Sequence, residues 1–235
     1  MRTHELVLRW IEKQLSDGEL VIGARLPAER SLAGQLQVSR TSVREAIRIL
    51  EAMGVVRAGV GSGKDAGTVV IAEPAVALGS ALRLHVATRH LPVADIVETR
   101  ILLESWAAAR ANPGAPALEV AAGILDRMDA AHDAEDFLAL DVRFHLELAK
   151  AAGNAVISAM MGSLREAIEG YASELTANLP DWSATSSRLR AEHRAILEAV
   201  NRNDGAHAAA LVTAHILDFY VEAGLGQEVP APGGF

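Results

Sequence analysis

The 235-residue chain is long enough for one large domain or two modest ones, each with a buried core. Half of its residues are hydrophobic, yet no apolar run reaches bilayer-spanning length and the start MRTHELVLRW lacks a signal-peptide core, so a cytoplasmic protein with no membrane partner is expected. With no cysteine, disulfides and thiolate metal sites are excluded; the net charge of −8 divides into +3 for residues 1–64 (ten Lys/Arg, seven Asp/Glu) and −11 for the rest (12 and 23).

A basic head on an acidic body is the pattern of a nucleic-acid reader joined to a regulatory domain. In the head, Leu6, Val7, Trp10, Ile11 and Leu15 recur at helical spacing over roughly His4–Leu15. Leu26-Pro27 opens a short helix over Glu29–Leu36. A turn at Gln37-Val38 leads to Ser39, an N-cap for a third helix reaching about Met53, with Gly54 at its C-terminal stop. Two β-branched runs around a Gly-rich tip then predict a small hairpin. Three helices and a two-stranded wing make a winged helix-turn-helix.

After Glu73-Pro74 the chain becomes Ala- and Leu-rich with helical periodicity. Breaks at Leu91-Pro92, Asn112-Pro113-Gly114, Gly153-Asn154, Pro180 and Asn203-Asp204-Gly205 leave six or seven helices, predicting an antiparallel bundle. The fold class expected is mainly α. The domains expected are 1–74 for DNA binding, 75–225 for an all-helical effector, metal-binding and dimerisation domain, and a flexible tail at 226–235.

Two constellations carry chemistry. On the third helix Val43, Ala46, Ile47, Leu50 and Met53 gather on one side, and Arg40, Arg44 and Arg48 on the other with Thr41 beside them. Guanidinium forks bind guanine edges or clamp phosphate. Arg30 is placed to touch the DNA backbone, and Lys64 to let the wing approach a groove. The alternative is a solvated face on which these arginines pair with Glu45 and Glu51.

In the acidic body, Asp141 and His145 lie one helical turn apart at the edge of an apolar face. His193 and His215 fall on the apolar faces of two later helices. One carboxylate and three imidazoles suit a first-row divalent cation, zinc first, with nickel, manganese or iron as alternatives. A buried Asp–His network without an ion is the rival. Arg100 also points into an apolar sector and needs an anion, either Glu104 one turn on or a bound carboxylate.

The segments LPAER and VSRTSVREAIRILEAMG, with the Gly-rich wing, resemble the N-terminal domain of the GntR family of bacterial regulators over about residues 5–72. That resemblance implies DNA contacts by Arg30, Arg40 and Arg44 and phosphate contacts by Thr41 and Ser42. Residues 92–224 resemble the all-helical effector domain of the FadR subgroup, through VETRILLESWAAARA, DVRFHLELAKAAGN, AEHRAILEAV and HILDF. It implies metal ligation by Asp141, His145, His193 and His215, and contact with a carboxylate effector by Arg100, with Asn154 also matching.

The function expected is a homodimeric transcription regulator, a repressor first, that binds double-stranded operator DNA and answers to a small organic acid. The rivals are a direct metal sensor and a metal-dependent enzyme fused to a DNA-binding domain. The enzyme reading lacks a general base beside the cluster, so no catalytic residue is expected.

Overall fold

A computed structural model describes residues 2–59, 67–176 and 179–225. Contacts divide the chain into two compact units that meet between Leu78 and Gly79, four residues beyond the boundary expected from composition. Lys64 and the expected tail at 226–235 lie outside the described residues.

The first unit contains α1 (Thr3–Ser16), α2 (Glu29–Leu36), α3 (Arg40–Ala52) and a hairpin of β1 (Val56–Gly59) and β2 (Gly67–Val70). Its core is built from Val7 and Ile11 of α1, Leu32 of α2, Val43 and Ala46 of α3, and Val56 of β1, all at most 1% exposed. Gln37 turns the chain between α2 and α3 in a left-handed conformation, φ 54°, and the Ser39 hydroxyl caps α3 by accepting from the Ser42 amide. Met53 departs from the predicted apolar face. It follows the last helical residue and is 57% exposed. The strands pair antiparallel with Val56 opposite Val70, and residues 23–26 lie along β2, with Leu26 donating to the Thr68 carbonyl at 2.8 Å.

Gly54 is required where α3 turns into the wing. Its φ is +68°, and a Cβ there would stand 2.3 Å from the Glu73 carbonyl oxygen. Gly54→Ala is expected to destabilise this unit by about 2 kcal/mol or more, from left-handed strain plus overpacking. Chemical denaturation followed by circular dichroism measures it, and an unchanged midpoint would contradict the assigned turn.

α4 (Pro74–Ala87) crosses the division between the units. Beyond it come α5 (Val93–Arg110), α6 (Pro116–Ala130), α7 (Ala134–Ala151), α8 (Ala155–Thr176), α9 (Trp182–Asn201) and α10 (Gly205–Tyr220), closed by a π-helical turn at Val221–Leu225. Each break expected from proline, glycine or asparagine falls at a junction between two of these helices, with Gly205 the first residue of α10. The break at Ala131–Asp133 carries none of those residues, and Asp133 makes it by accepting from the Asp136 amide at 2.8 Å. Asp181 and Asp204 cap α9 and α10 in the same way. The core runs through Val97, Phe137, Phe144, Ile196 and Val212, and α5 packs against α7, α8, α9 and α10. Gly205 lets α10 approach α5, since a Cβ there would lie 2.2 Å from the Ala109 carbonyl oxygen. No described helix is long and apolar enough to cross a membrane.

Candidate metal centre and nucleic-acid interface

The three Asp-capped helices of the second unit are the ones that carry the expected ligands. α7 brings Asp141 and His145, α9 brings His193 and α10 brings His215, and one ligand atom from each lies within 4.8 Å of all the others. Asp141 Oδ1 is 2.9 Å from His193 Nε2, 3.6 Å from His145 Nε2 and 3.8 Å from His215 Nε2. A four-coordinate ion with bonds of about 2.0–2.1 Å needs its donors about 3.3 Å apart. The observed spacings straddle that value.

Hydrogen bonding outside the cluster decides which ring nitrogens face inward. His145 Nδ1 sits 2.7 Å from Glu104 Oε2, and His215 Nδ1 sits 2.8 Å from Glu192 Oε2. Each carboxylate holds the proton on Nδ1, so each Nε2 presents a lone pair to the centre. Those two Nε2 atoms lie 3.3 Å apart. Two lone pairs at that distance repel unless a proton or cation stands between them.

His193 gives the same indication from a different side. It is fully buried, and neither ring nitrogen has a hydrogen-bond partner among the described residues. Although Nε2 is 2.9 Å from Asp141 Oδ1, the angle is not that of a hydrogen bond. Burial, reinforced by the neighbouring His215, pushes the His193 pKa down to about 3, so the ring is neutral and its lone pair is available. For His215, burial also opposes the charge, but Asp141 and Glu192 outweigh it and raise the pKa. Burial works against the Asp141 carboxylate too, yet His145 and Arg165 hold it well below the usual range.

Arg165 of α8 was not singled out by sequence. It is 4% exposed and donates from Nη1 to Asp141 Oδ2 at 2.9 Å and from Nη2 to Glu104 Oε2 at 3.1 Å. Asp141 therefore has one oxygen tied to a guanidinium and the other turned to the imidazoles. Glu104 links the whole arrangement. Besides His145 and Arg165 it accepts from Arg100 Nε at 2.9 Å, and these partners hold its pKa well below normal although burial opposes them.

Arg100 is buried as expected, and the anion it meets is Glu104, while its Nη1 donates to the Tyr220 hydroxyl at 2.9 Å. Asn154 acts as a helix cap, its Oδ1 accepting from the Val156 and Ile157 amides, and none of its described contacts reaches the four ligands. Neither Glu104 nor Glu192 is free to serve as a base, because each is committed to a histidine and an arginine.

In the first unit α3 turns Arg40, Thr41, Arg44 and Arg48 to solvent, and Arg30 is exposed on α2. Ser42 stands apart from these exposed residues. It is 8% exposed and its hydroxyl is shared with Ser39 at 2.9 Å and Thr3 at 2.8 Å. Among the described residues, Glu45 and Glu51 are not paired with these arginines. Glu45 lies beside His4, and Glu51 accepts from the Ala58 amide. The acid that meets this face is Glu29 of α2, 2.8 Å from Arg44 Nε and 3.9 Å from Arg40 Nη2.

Residues 3–64 match the model of the bacterial regulatory proteins of the gntR family, and residues 95–218 match the FCD domain. The chain is 30% identical over 207 residues to the HTH-type transcriptional regulator LutR of Bacillus subtilis, covering 86% of this chain and 92% of that one. It is also 30% identical over 220 residues to a putative L-lactate dehydrogenase operon regulatory protein of Escherichia coli, covering 86% and 79%. The structure of Streptococcus agalactiae GntR superposes with a TM-score of 0.64 at 25% identity, over 92% of this chain and 97% of that one.

Proposed function

We propose a mode of action for a chain that belongs to the GntR family of bacterial transcriptional regulators and carries an FCD domain: its helical unit holds a divalent cation that receives a small carboxylic acid, and this binding alters operator affinity. The chain is a DNA-binding regulator and not an enzyme, as are the relatives it matches. Asp141, His145, His193 and His215 are the residues that would hold the cation, with zinc the first choice for a nitrogen-rich, thiolate-free donor set. When bound, it supplies a positive centre for a carboxylate oxygen. The observation that carries the reading is the inward convergence of three imidazole Nε2 atoms beside Asp141, two of them 3.3 Å apart and the third, on His193, with no hydrogen-bond partner among the described residues.

Arg100 keeps a proposed part in holding the acid. Two of its nitrogens are engaged by Glu104 and Tyr220, which leaves Nη2 for the second carboxylate oxygen. Since one relative is described as regulating an L-lactate dehydrogenase operon, L-lactate heads the acids to be tried. The regulator acts as a homodimer on a pseudo-palindromic operator, each first unit reading one half-site. The acid shifts operator affinity only if it binds the DNA-competent and DNA-incompetent states unequally.

Thermal denaturation of chelator-stripped protein tests the reading. Zinc at about 100 times its Kd should stabilise the wild type by about 2.7 kcal/mol, and His193→Ala should abolish that response. L-lactate should then raise the midpoint further in zinc-loaded wild type, and less in Arg100→Ala. No response to zinc would overturn the metal centre. A response to zinc with none to any acid favours a direct metal sensor, the second reading, to which the engagement of Arg100 by Glu104 and Tyr220 lends support.

A further inference from the structure

A carboxylate on a face that must approach phosphates lowers affinity, so its presence among the arginines of α3 calls for another explanation. Glu29 opens α2, where an acidic side chain suits the helix N-terminus, and its Oε2 reaches across to α3. It accepts from Nε of Arg44 at 2.8 Å while standing 3.9 Å from Arg40 Nη2. Arg44 remains 57% exposed in its side chain, so it is held at one nitrogen and open at the other two.

We propose that Glu29 is a positioning residue for sequence readout, holding Arg44 by Nε so that only its terminal Nη pair meets the DNA. An unrestrained guanidinium engages an acceptor through either the Nε edge or the Nη end, and a phosphate serves as well as a base. With Nε occupied, the end-on fork remains, and its two parallel N–H groups match O6 and N7 of guanine. The long side chain is also ordered before DNA arrives, which reduces the entropy lost on binding. As water leaves the interface, the Glu29–Arg44 pair strengthens relative to its exposed state. Glu29 thus gives up affinity in exchange for discrimination.

This inference rests on the assignment of α3 as the DNA-reading helix, and the experiment separates the two. The full-length wild type selects binding sites from a duplex library with a randomised centre. Affinities for the selected duplex, its single G·C→A·T derivatives and an unrelated duplex are then measured at fixed salt for wild type, Glu29→Ala, Glu29→Gln and Arg44→Ala. Arg44→Ala should lose the preference for one guanine in each half-site, about tenfold or more. Glu29→Ala should lose most of the same preference at the same position, while its binding to the unrelated duplex stays level or rises. Glu29→Gln keeps an acceptor for Nε and should retain more discrimination than alanine. A merely structural role would weaken binding to every duplex alike. Full discrimination by Glu29→Ala, with loss in Arg44→Ala, would overturn the positioning role alone; full discrimination by Arg44→Ala would overturn the readout assignment beneath it.

Discussion

Replacing Glu104 with alanine is expected to lower the stability of the helical unit by about 3–5 kcal/mol and to weaken metal binding by about 10–100-fold. Glu104 is 3% exposed, and its two oxygens serve Arg100, Arg165 and His145. Truncation leaves Arg165 with Asp141 but Arg100 with only the Tyr220 hydroxyl, a buried guanidinium with no carboxylate in contact. Breaking a buried ion network from one side is costly because desolvation of the surviving charges is no longer offset. The same truncation releases His145 Nδ1, so the imidazole is free to turn or to put its proton on Nε2. One substitution therefore reaches two of the four ligands, His145 directly and Asp141 through Arg165.

Denaturant melts of chelator-stripped wild type and variant measure the first effect, and competition with a chromophoric zinc chelator measures the second. Glu104→Gln separates them. It preserves volume and one acceptor, so stability recovers in part, but its amide cannot accept from His145, Arg100 and Arg165 together, and the metal deficit persists. Glu192 occupies the matching position beside His215 but is only partly buried, so solvent replaces some of what Glu192→Ala removes and both losses are smaller. Wild-type stability and zinc affinity in Glu104→Ala would show that this carboxylate does not organise the centre.

All four candidate ligands were legible because helical periodicity is a strong signal. The spacing of Asp141 and His145, and the place of His193 and His215 among apolar neighbours, point all four toward the interior. Arg165 was not legible in that way. It lies on α8, where nothing in the local pattern marks it, and only packing of α8 against α5 and α7 gives it Glu104 and Asp141 as partners. Glu29 escaped notice for a related reason. It sits 15 residues from Arg44, so a search for partners along the recognition helix finds Glu45 and Glu51, whereas the contact depends on how α2 crosses α3. Ser42 shows the same limit. The family resemblance implies a phosphate contact there, and nothing in the local pattern tells that the start of α1 delivers Thr3 against its hydroxyl. Local capping and periodicity are written in adjacent residues; contacts between elements are not.

Removing both Arg40 and Arg44 charges, as the double alanine variant, is expected to weaken operator binding strongly and bring it toward sequence-independent binding. Each well-placed guanidinium contributes about 1–3 kcal/mol of discrimination. A dimer loses two base-reading Arg44 forks, about 2–6 kcal/mol of the roughly 4–10 kcal/mol that separates specific from non-specific binding, and with them the two Arg40 contributions to phosphate binding. The loss thus takes a large share of the specific increment and lowers the non-specific affinity as well. The single variants divide the work between the two residues. A phosphate contact lowers the slope of log K against log salt by about 0.9, whereas a base contact leaves the slope nearly unchanged and relaxes one position of the site. Glu29 holds Arg44 directly and stands farther from Arg40, so Arg44→Ala should change sequence preference and Arg40→Ala should change the salt slope. Fluorescence anisotropy on a library-selected duplex, repeated across a salt series, reads both quantities. A double variant that binds that duplex within a few-fold of wild type, with its preference intact, would remove α3 from the groove and leave the arginine face as solvated surface.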